Sequence, residues 1–447
     1  MPSASFEAKR GRRKNVKILV SNIGSTSFKF RLFDCAGPSA GAGRPAEREL
    51  ASGGVDRIGG TGGVMKWSVM GATAGAVSRR AEDAGETPAR RADGTSASRP
   101  CACRDHGAAI ASCLDALVEA GALVHARDLD AVAFKAVLAG DAPAVAFVTD
   151  EILAKMEYYV PVAPMHNPVY IAAMRSFRQA LAGVPLVAAF EPGFHRTVPP
   201  RRWQYACPPE WTERFGIRRY GYHGASHRYV AGRVGELLPQ RCRRIISCHL
   251  GGSSSVCAIR DGASVATSMG FSPQSGLPQG TRVGDFDPFA LAVVARETGQ
   301  SLAAMLEQLG NAGGLAGLSG TSGDARDIEA AYQRGDERAT LTLECYATAI
   351  RDCIGAFLVE LGGVDSLVFT GGIGEKSPIM RELVCKDMEF LGISLDPARS
   401  AAAKGECRVD SDLSKTAIWA MPTNEELVVA RQAVELLRQQ ATGNRQQ

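Results

Sequence analysis

Short apolar runs bounded by Gly, Ser and Asn alternate along this chain with longer segments of helical spacing. Val16 to Val20 has strand length, Ser21-Asn22-Ile23-Gly24-Ser25 reads as a turn, and Thr26 to Phe33 alternates as a second strand. Cys35 to Cys103 is rich in Gly, Ala, Pro, Ser and Arg, which predicts mostly loop and edge strand, with Arg79 to Pro100 a flexible insertion. An amphipathic helix is expected from about Asp105 to Glu119, then a buried strand at Ala131 to Val137. Val169 to Leu181 reads as a helix beginning just after Pro168, and Leu186 to Phe190 as a strand. Arg244 to His249 and Val256 to Ile259 read as strands flanking Gly251-Gly252-Ser253-Ser254-Ser255. A helix pair broken at Gly335 covers Ala325 to Leu361. The strand Ser366 to Thr370 opens onto Gly371-Gly372-Ile373-Gly374, and a last helix runs from about Asn424 to Gln439.

A strand–turn–strand unit with Gly and hydroxyl residues in its turn occurs around Asn22 to Ser27. It recurs around Gly251 to Ser255, a separation far beyond the 20–50 residues of a solenoid repeat. Two related α/β domains are expected, each offering one such hairpin to a shared cleft.

Composition narrows the class. The 447 residues suit two large domains, and 45% apolar with 22% charged residues is ordinary for a globular chain. No apolar run approaches 18 residues, so no membrane span is expected. The start MPSASFEAKRGRRKN is basic but has neither an apolar core nor a cleavage pattern of small residues. Much of the net charge of +4 lies in that stretch, which reads as a solvated tail; nothing downstream suggests nucleic-acid binding. The 12 cysteines show no zinc spacing, and Cys248, Cys257, Cys345 and Cys353 sit in apolar surroundings, so a reducing cytoplasm is expected.

The candidate chemistry is anionic. Turns of Gly, Ser and Thr expose backbone N–H groups and hydroxyls that can surround phosphate oxygens. Gly24-Ser25-Thr26-Ser27 alone says little. Together with Gly251 to Ser255 and Gly371 to Gly374, it favours a nucleotide. Arg282 in GTRVGDFDP, His166 in APMHNP, and His223 with His227 in YGYHGASH supply cationic or imidazole groups. Each taken singly also reads as a loop ion pair or a hydrogen-bonded core histidine.

At this point the chain resembles the acetate kinase family of the acetate and sugar kinase/heat-shock 70/actin superfamily. The resemblance is carried by VSNIGSTSFKF, APMHNP, FEPGFHRT, RRYGYHGASHRYV, SCHLGG, SMGFSPQSGL, GTRVGDFDP, SGTSGDARD, VFTGGIGEKSPIMRE and MPTNEEL, in order from residue 20 to residue 427. It implies an α/β fold of two ribonuclease H-like (actin-like ATPase) domains with the nucleotide in the interdomain cleft, each domain built on a mixed five-stranded sheet. Residues 1–16 would be a disordered basic tail, 17–191 with 425–447 the first domain, and 192–424 the second. The activity implied is reversible phosphorylation of acetate by ATP with Mg2+, by a homodimer. Asn22 and Glu425 fall at the metal positions. Lys29, His249, Leu250, Gly251, Gly252, Ser253, Asp324, Ala325, Arg326, Gly371, Gly372, Ile373, Gly374 and Glu375 fall at nucleotide positions. Glu191, His223 and Arg282 fall at catalytic positions, and Lys135, Val137, Met165, His166, Tyr222 and Pro273 at the acyl substrate. A kinase of propionate or butyrate, and a nucleotide-binding regulator without transfer, are the alternatives.

Three positions depart from the family pattern. Lys135 stands for an arginine, which exchanges a planar fork for a point charge. Glu191 stands for an aspartate, moving its carboxylate by about 1.5 Å; the expectation is that it pairs with Lys135. Gly252 stands for an asparagine, removing an amide contact to phosphate.

Overall fold

The structure is a computed structural model describing residues 15–24, 26–36, 47–60, 63–70, 89–91, 94–101 and 103–443. It divides into two compact units, residues 1–193 with 425–447 and residues 194–424. Residues 1–14 of the expected tail lie outside the described residues, while Asn15 and Val16 already belong to the first strand.

The first unit is built on one sheet. Its strands are β1 (Asn15–Ile23), β2 (Ser27–Ala36), β3 (Glu47–Asp56), β4 (Val64–Met70), β5 (Ala89–Arg91), β6 (Gly94–Pro100), β7 (Ala131–Ala136), β8 (Val145–Phe147) and β9 (Leu186–Phe190). The order is β5-β6-β4-β3-β2-β1-β7-β9-β8, with β1, β7 and β9 parallel neighbours. β9 is a continuous buried apolar run, and β7 is one interrupted only by Lys135. Helices α1 (His106–Glu119), α2 (Asp150–Tyr158) and α3 (Asn167–Ala180) belong to this unit, as does the C-terminal helix Glu425–Gly443. Asp105 caps α1 by accepting from the Ala108 N–H at 2.8 Å, and Pro168 opens α3. The C-terminal helix packs on β1, β2, β7 and β9 through Val429, Ala430 and Ala433, which brings its first residue to the strand ends.

This sheet corrects two expectations. Among the described residues nine strands stand where five were expected, and β3 and β4 occupy the segment expected to be mostly loop and edge strand. The glycines that suggested loop serve close packing instead. A Cβ on Gly53 would lie 2.5 Å from Lys66 O and 2.7 Å from the Phe30 ring. Of the expected insertion, residues 79–88 lie outside the described residues, whereas Gly94–Pro100 pairs along the whole of β4.

The second unit carries β10 (Arg244–His249), β11 (Ser255–Arg260), β12 (Ala263–Thr267), β13 (Ser366–Thr370), β14 (Cys407–Arg408) and β15 (Ala417–Ala420), in the order β12-β11-β10-β13-β15-β14. Six strands again exceed the five expected. The helices that matter below are α4 (Gly224–Leu237), α5 (Ala290–Thr298), α6 (Leu302–Asn311), α7 (Ala325–Gln333), α8 (Glu337–Leu361), α9 (Gly371–Lys376) and α10 (Pro378–Cys385). The core lies under α8, whose buried Leu343, Tyr346, Ile350, Ile354, Phe357 and Leu361 recur every three or four residues. Asp336 caps its start and Gly362, at φ 69°, ends it.

Among the cysteines, Cys101 and Cys103 are disulfide-bonded. Cys248 and Cys257 are buried thiols, as their surroundings suggested, while Cys345 and Cys353 are partly exposed. Among the described residues no helix is long and apolar enough to cross a membrane.

Candidate active site

Within the first unit, the ends of β1, β7 and β9 and the start of the C-terminal helix converge. β1 delivers Asn22, whose register partner on β2 is the exposed Lys29. β7 delivers Lys135, Val137 is buried just beyond that strand, and Glu191 begins the turn after β9. Lys135 Nζ lies 2.6 Å from Glu425 Oε2. Burial opposes the ammonium, but the carboxylates of Glu425 and Glu191 outweigh it and hold the Lys135 pKa above its ordinary value. The expected Lys135–Glu191 pair is thus corrected. Glu425, placed by the helix start, is the direct partner, and Glu191 acts on the same ammonium at longer range.

Tyr170 on α3 joins this cluster. Its hydroxyl accepts from the Ile23 N–H at 3.2 Å and donates to Asn22 Oδ1 at 3.3 Å, while Asn22 Nδ2 donates to Glu426 Oε1 at 3.4 Å. Neither Tyr170 nor Glu426 was singled out from sequence. The tyrosine sits in an apolar helix stripe and carries no separate signal, whereas the adjacent acids of NEEL at a helix start could have drawn attention to Glu426. His166 occupies the N-cap position of α3, and the neighbouring Met165 is half exposed.

Within the second unit, the β10–β11 hairpin organises the candidate residues. His249 ends β10 and stacks on His223, with ring centroids 4.2 Å apart. His223 Nδ1 is 2.8 Å from Ser255 Oγ, and that oxygen is also 2.8 Å from His227 Nε2. His227 Nδ1 meets Ser247 Oγ at 2.9 Å. A chain of hydrogen bonds therefore runs from Ser247 through His227 and Ser255 to His223. His227 is fully buried, and its desolvation lowers its pKa well below the usual value, so it remains neutral. His223 itself adopts a left-handed backbone at φ 56°, rare for a residue with a Cβ and a mark of a position held by its surroundings.

The residue before it, Tyr222, is also fixed. Its hydroxyl donates to Phe271 O at 2.6 Å, and its carbonyl lies 2.9 Å from His195 Nε2. A carbonyl only accepts, so Nε2 of His195 carries the proton, and Nδ1, 2.9 Å from Ser264 Oγ, accepts from that hydroxyl. Burial pushes the His195 pKa down to about 4. Gly221 makes room for this ring, because a Cβ there would lie 2.7 Å from it.

The hairpin turn meets the glycine segment that opens α9. Leu250 O accepts from Ile373 N at 2.8 Å and Gly374 N at 3.2 Å. Gly371, at φ 76°, has no space for a side chain, since a Cβ would be 2.6 Å from that oxygen. Beneath α9, the buried Arg381 of α10 donates to Gly374 O and Glu375 O, both at 2.8 Å. Gly251 accepts and donates within its own turn through Ser254, and Gly252 O accepts from Gly280 N. A Cβ on Gly252 would meet nothing within 4 Å, so the glycine is not imposed by space.

Arg282 is half-buried and held in place. Its Nη1 donates to Ser253 Oγ and Gln279 Oε1 at 3.1 Å each and to Pro273 O at 3.4 Å, while Ser253 and Gln279 bond each other at 2.7 Å. Burial lowers the Arg282 pKa. Gln279 had no sequence signal. Asp324 caps α7 by accepting from Arg326 N and also pairs with the exposed Arg326 side chain, which lowers its pKa to about 2; Ala325 between them is buried.

The donors at Asn22 and Glu425 are hard oxygens, and among the described residues no three His, Cys, Asp or Glu side chains group into a cage. Hard oxygens of this kind are what Mg2+ takes, one or two from protein and the rest from phosphate and water.

Known proteins resemble this chain over nearly its whole length. The Bacillus subtilis acetate kinase is 36% identical over 425 residues, covering 94% of this chain and 100% of the relative. The Citrobacter rodentium propionate kinase is 39% identical over 423 residues, covering 94% and 96%. The crystal structure of Porphyromonas gingivalis acetate kinase superposes with a TM-score of 0.78 at 33% identity, covering 94% of this chain and 100% of that one. The profile of the acetokinase family matches residues 82–431, and the chain belongs to that family.

Proposed function

We propose that this protein transfers the terminal phosphoryl group of ATP to acetate, reversibly, giving acetyl phosphate and ADP. The observation that carries the reading is the second unit's cluster. His223, His249 and the Leu250–Ser253 turn gather around one hairpin, with Arg282 fastened to the turn's Ser253.

Acetate is ionised at pH 7, so its oxygen needs no base before it attacks phosphorus. As the new O–P bond forms, the bond to the bridging oxygen of ADP breaks, and the obstacle is repulsion between anions. Arg282 and His223 are the groups suited to hold charge on the moving phosphoryl, and both are pre-set by their hydrogen bonds rather than recruited at the moment of reaction. Lys135 and Val137 are suited to the acid's carboxylate and apolar tail. Asn22 and Glu425 would hold Mg2+, which supplies charge neutralisation along the phosphate chain when bound. Phe289 with Val293 at α5, and Leu302 with Leu306 on α6, stand exposed in pairs four residues apart and support a homodimer as the acting species.

Acyl length is the open variable, since one methylene changes discrimination by only about 1–3 kcal/mol. Trapping acyl phosphate with hydroxylamine across formate, acetate, propionate and butyrate tests the reading. Acetate should give the highest kcat/KM. A tenfold preference for propionate or butyrate moves the assignment to that acid, and ATP binding without any acyl phosphate rejects transfer altogether.

A further inference from the structure

The resemblance gives Lys135 to the acyl carboxylate and Glu425 to the metal. In the folded chain these two side chains are paired at 2.6 Å, so one ammonium N–H and Glu425 Oε2 are committed to each other while the pair stands. Glu425 is also the first residue of the C-terminal helix, where the helix dipole favours a negative charge.

We propose that Lys135 is an internal cation that occupies Glu425 in place of the divalent metal, and that it passes to the acyl carboxylate when the metal takes Glu425. This inference rests on the carboxylate-kinase reading above. A carboxylate oxygen engaged by an ammonium at hydrogen-bond distance does not also offer that lone pair to Mg2+, so the two cations compete for one charge. The family's arginine would clamp a carboxylate with a planar fork. A lysine is a point charge on a flexible stem and can move between two oxyanions without reorienting a plane. The surroundings permit the movement. Lys135 retains 22% side-chain exposure and Glu425 12%, so the pair is reachable from outside. The register partner of Lys135 on β9 is Ala189, which carries only a methyl group. Glu191 lies close enough to act electrostatically on the same ammonium, which gives it a second anionic neighbour during the exchange.

Mn2+ alone, titrated into the full chain without nucleotide and followed by electron paramagnetic resonance, tests the competition. Lys135→Met should bind Mn2+ at least tenfold tighter than the wild type, about 1.4 kcal/mol, and adding Glu425→Gln should abolish the gain. Lys135→Gln serves the same purpose should the methionine variant fail to fold. Unchanged Mn2+ affinity in both lysine variants overturns the proposal. If Lys135→Met binds tightly and the double variant binds equally tightly, Glu425 is not the ligand and the metal assignment beneath the proposal falls instead. For the second half, the KM for acetate in the wild type should fall as free Mg2+ rises at saturating MgATP, and that of Lys135→Met should not respond. A wild-type KM independent of Mg2+ removes that half.

Discussion

His195 gives the sharpest quantitative prediction, because its two hydrogen bonds define one neutral tautomer in a sealed site. Unfolded, its imidazole titrates near 6.5; folded, near 4. Between those values the unfolded state binds more protons, so stability falls as pH drops from about 6.5 toward 4 and then levels off. The full difference corresponds to about 3 kcal/mol, of which about 2 kcal/mol is already lost between pH 7 and pH 5. His195→Gln keeps an amide donor for Tyr222 O but cannot titrate. Urea unfolding followed by circular dichroism should therefore show the wild type losing about 2 kcal/mol more than the variant between pH 7 and pH 5. The variant's absolute stability is not the readout, since losing the Ser264 contact shifts both pH values alike. Parallel losses in the two proteins would show that His195 is not held neutral by its surroundings.

The relay behind His223 predicts that Ser255→Ala lowers kcat by about 10–100-fold while the KM for ATP changes less than threefold, because the buried serine hydroxyl is engaged by the two imidazoles it orients. Equal changes in kcat and KM in steady-state assays would assign Ser255 to binding instead. Gly252→Asn, which restores the family's residue at a position where a Cβ meets nothing within 4 Å, should fold normally and lower the KM for ATP about threefold or more, the scale of one added hydrogen bond. A higher KM would mean that the hairpin turn has rearranged around its glycine.

Much of the architecture could be read from the sequence where periodicity was strong. Leu186–Phe190, Arg244–His249 and Ser366–Thr370 form strands at the expected residues, because each is an apolar run buried on both sides and closed by a turn. The helix pair divided at Gly335 was equally plain, since a positive φ of 82° there and the Asp336 cap both belong to residues with local signatures. The region from Cys35 to Cys103 was not legible. Gly53 and Gly54 look like loop residues until the approach of Lys66 O and Phe28 O is known, and that approach is a long-range fact. The same distinction governs the site. His223, His249 and Arg282 lie in recognisable segments, whereas the groups that fix them, Ser247, Ser255 and Gln279, are ordinary residues whose role depends on which strand lies beside which. Local pattern reveals the candidate groups and conceals what holds them.

That asymmetry bears on how the departures from the family should be weighed. Judged position by position, Lys135 is a weakened arginine and Glu191 a lengthened aspartate. In the fold the Lys135 ammonium answers to Glu191 and to a further carboxylate, Glu425, which a position-by-position reading leaves out. An arginine at position 135 would carry the same charge, but its rigid fork would fix the distance and angle at which it could meet Glu425. Under the proposed roles, exchanging it for lysine therefore bears on the metal position Glu425 as well as on the acyl substrate. Reversion by Lys135→Arg consequently acts on two equilibria at once, and its effect on turnover has no single sign until acetate and free Mg2+ are varied independently. The ion pair, rather than either position taken alone, is therefore the unit on which a reversion has to be judged.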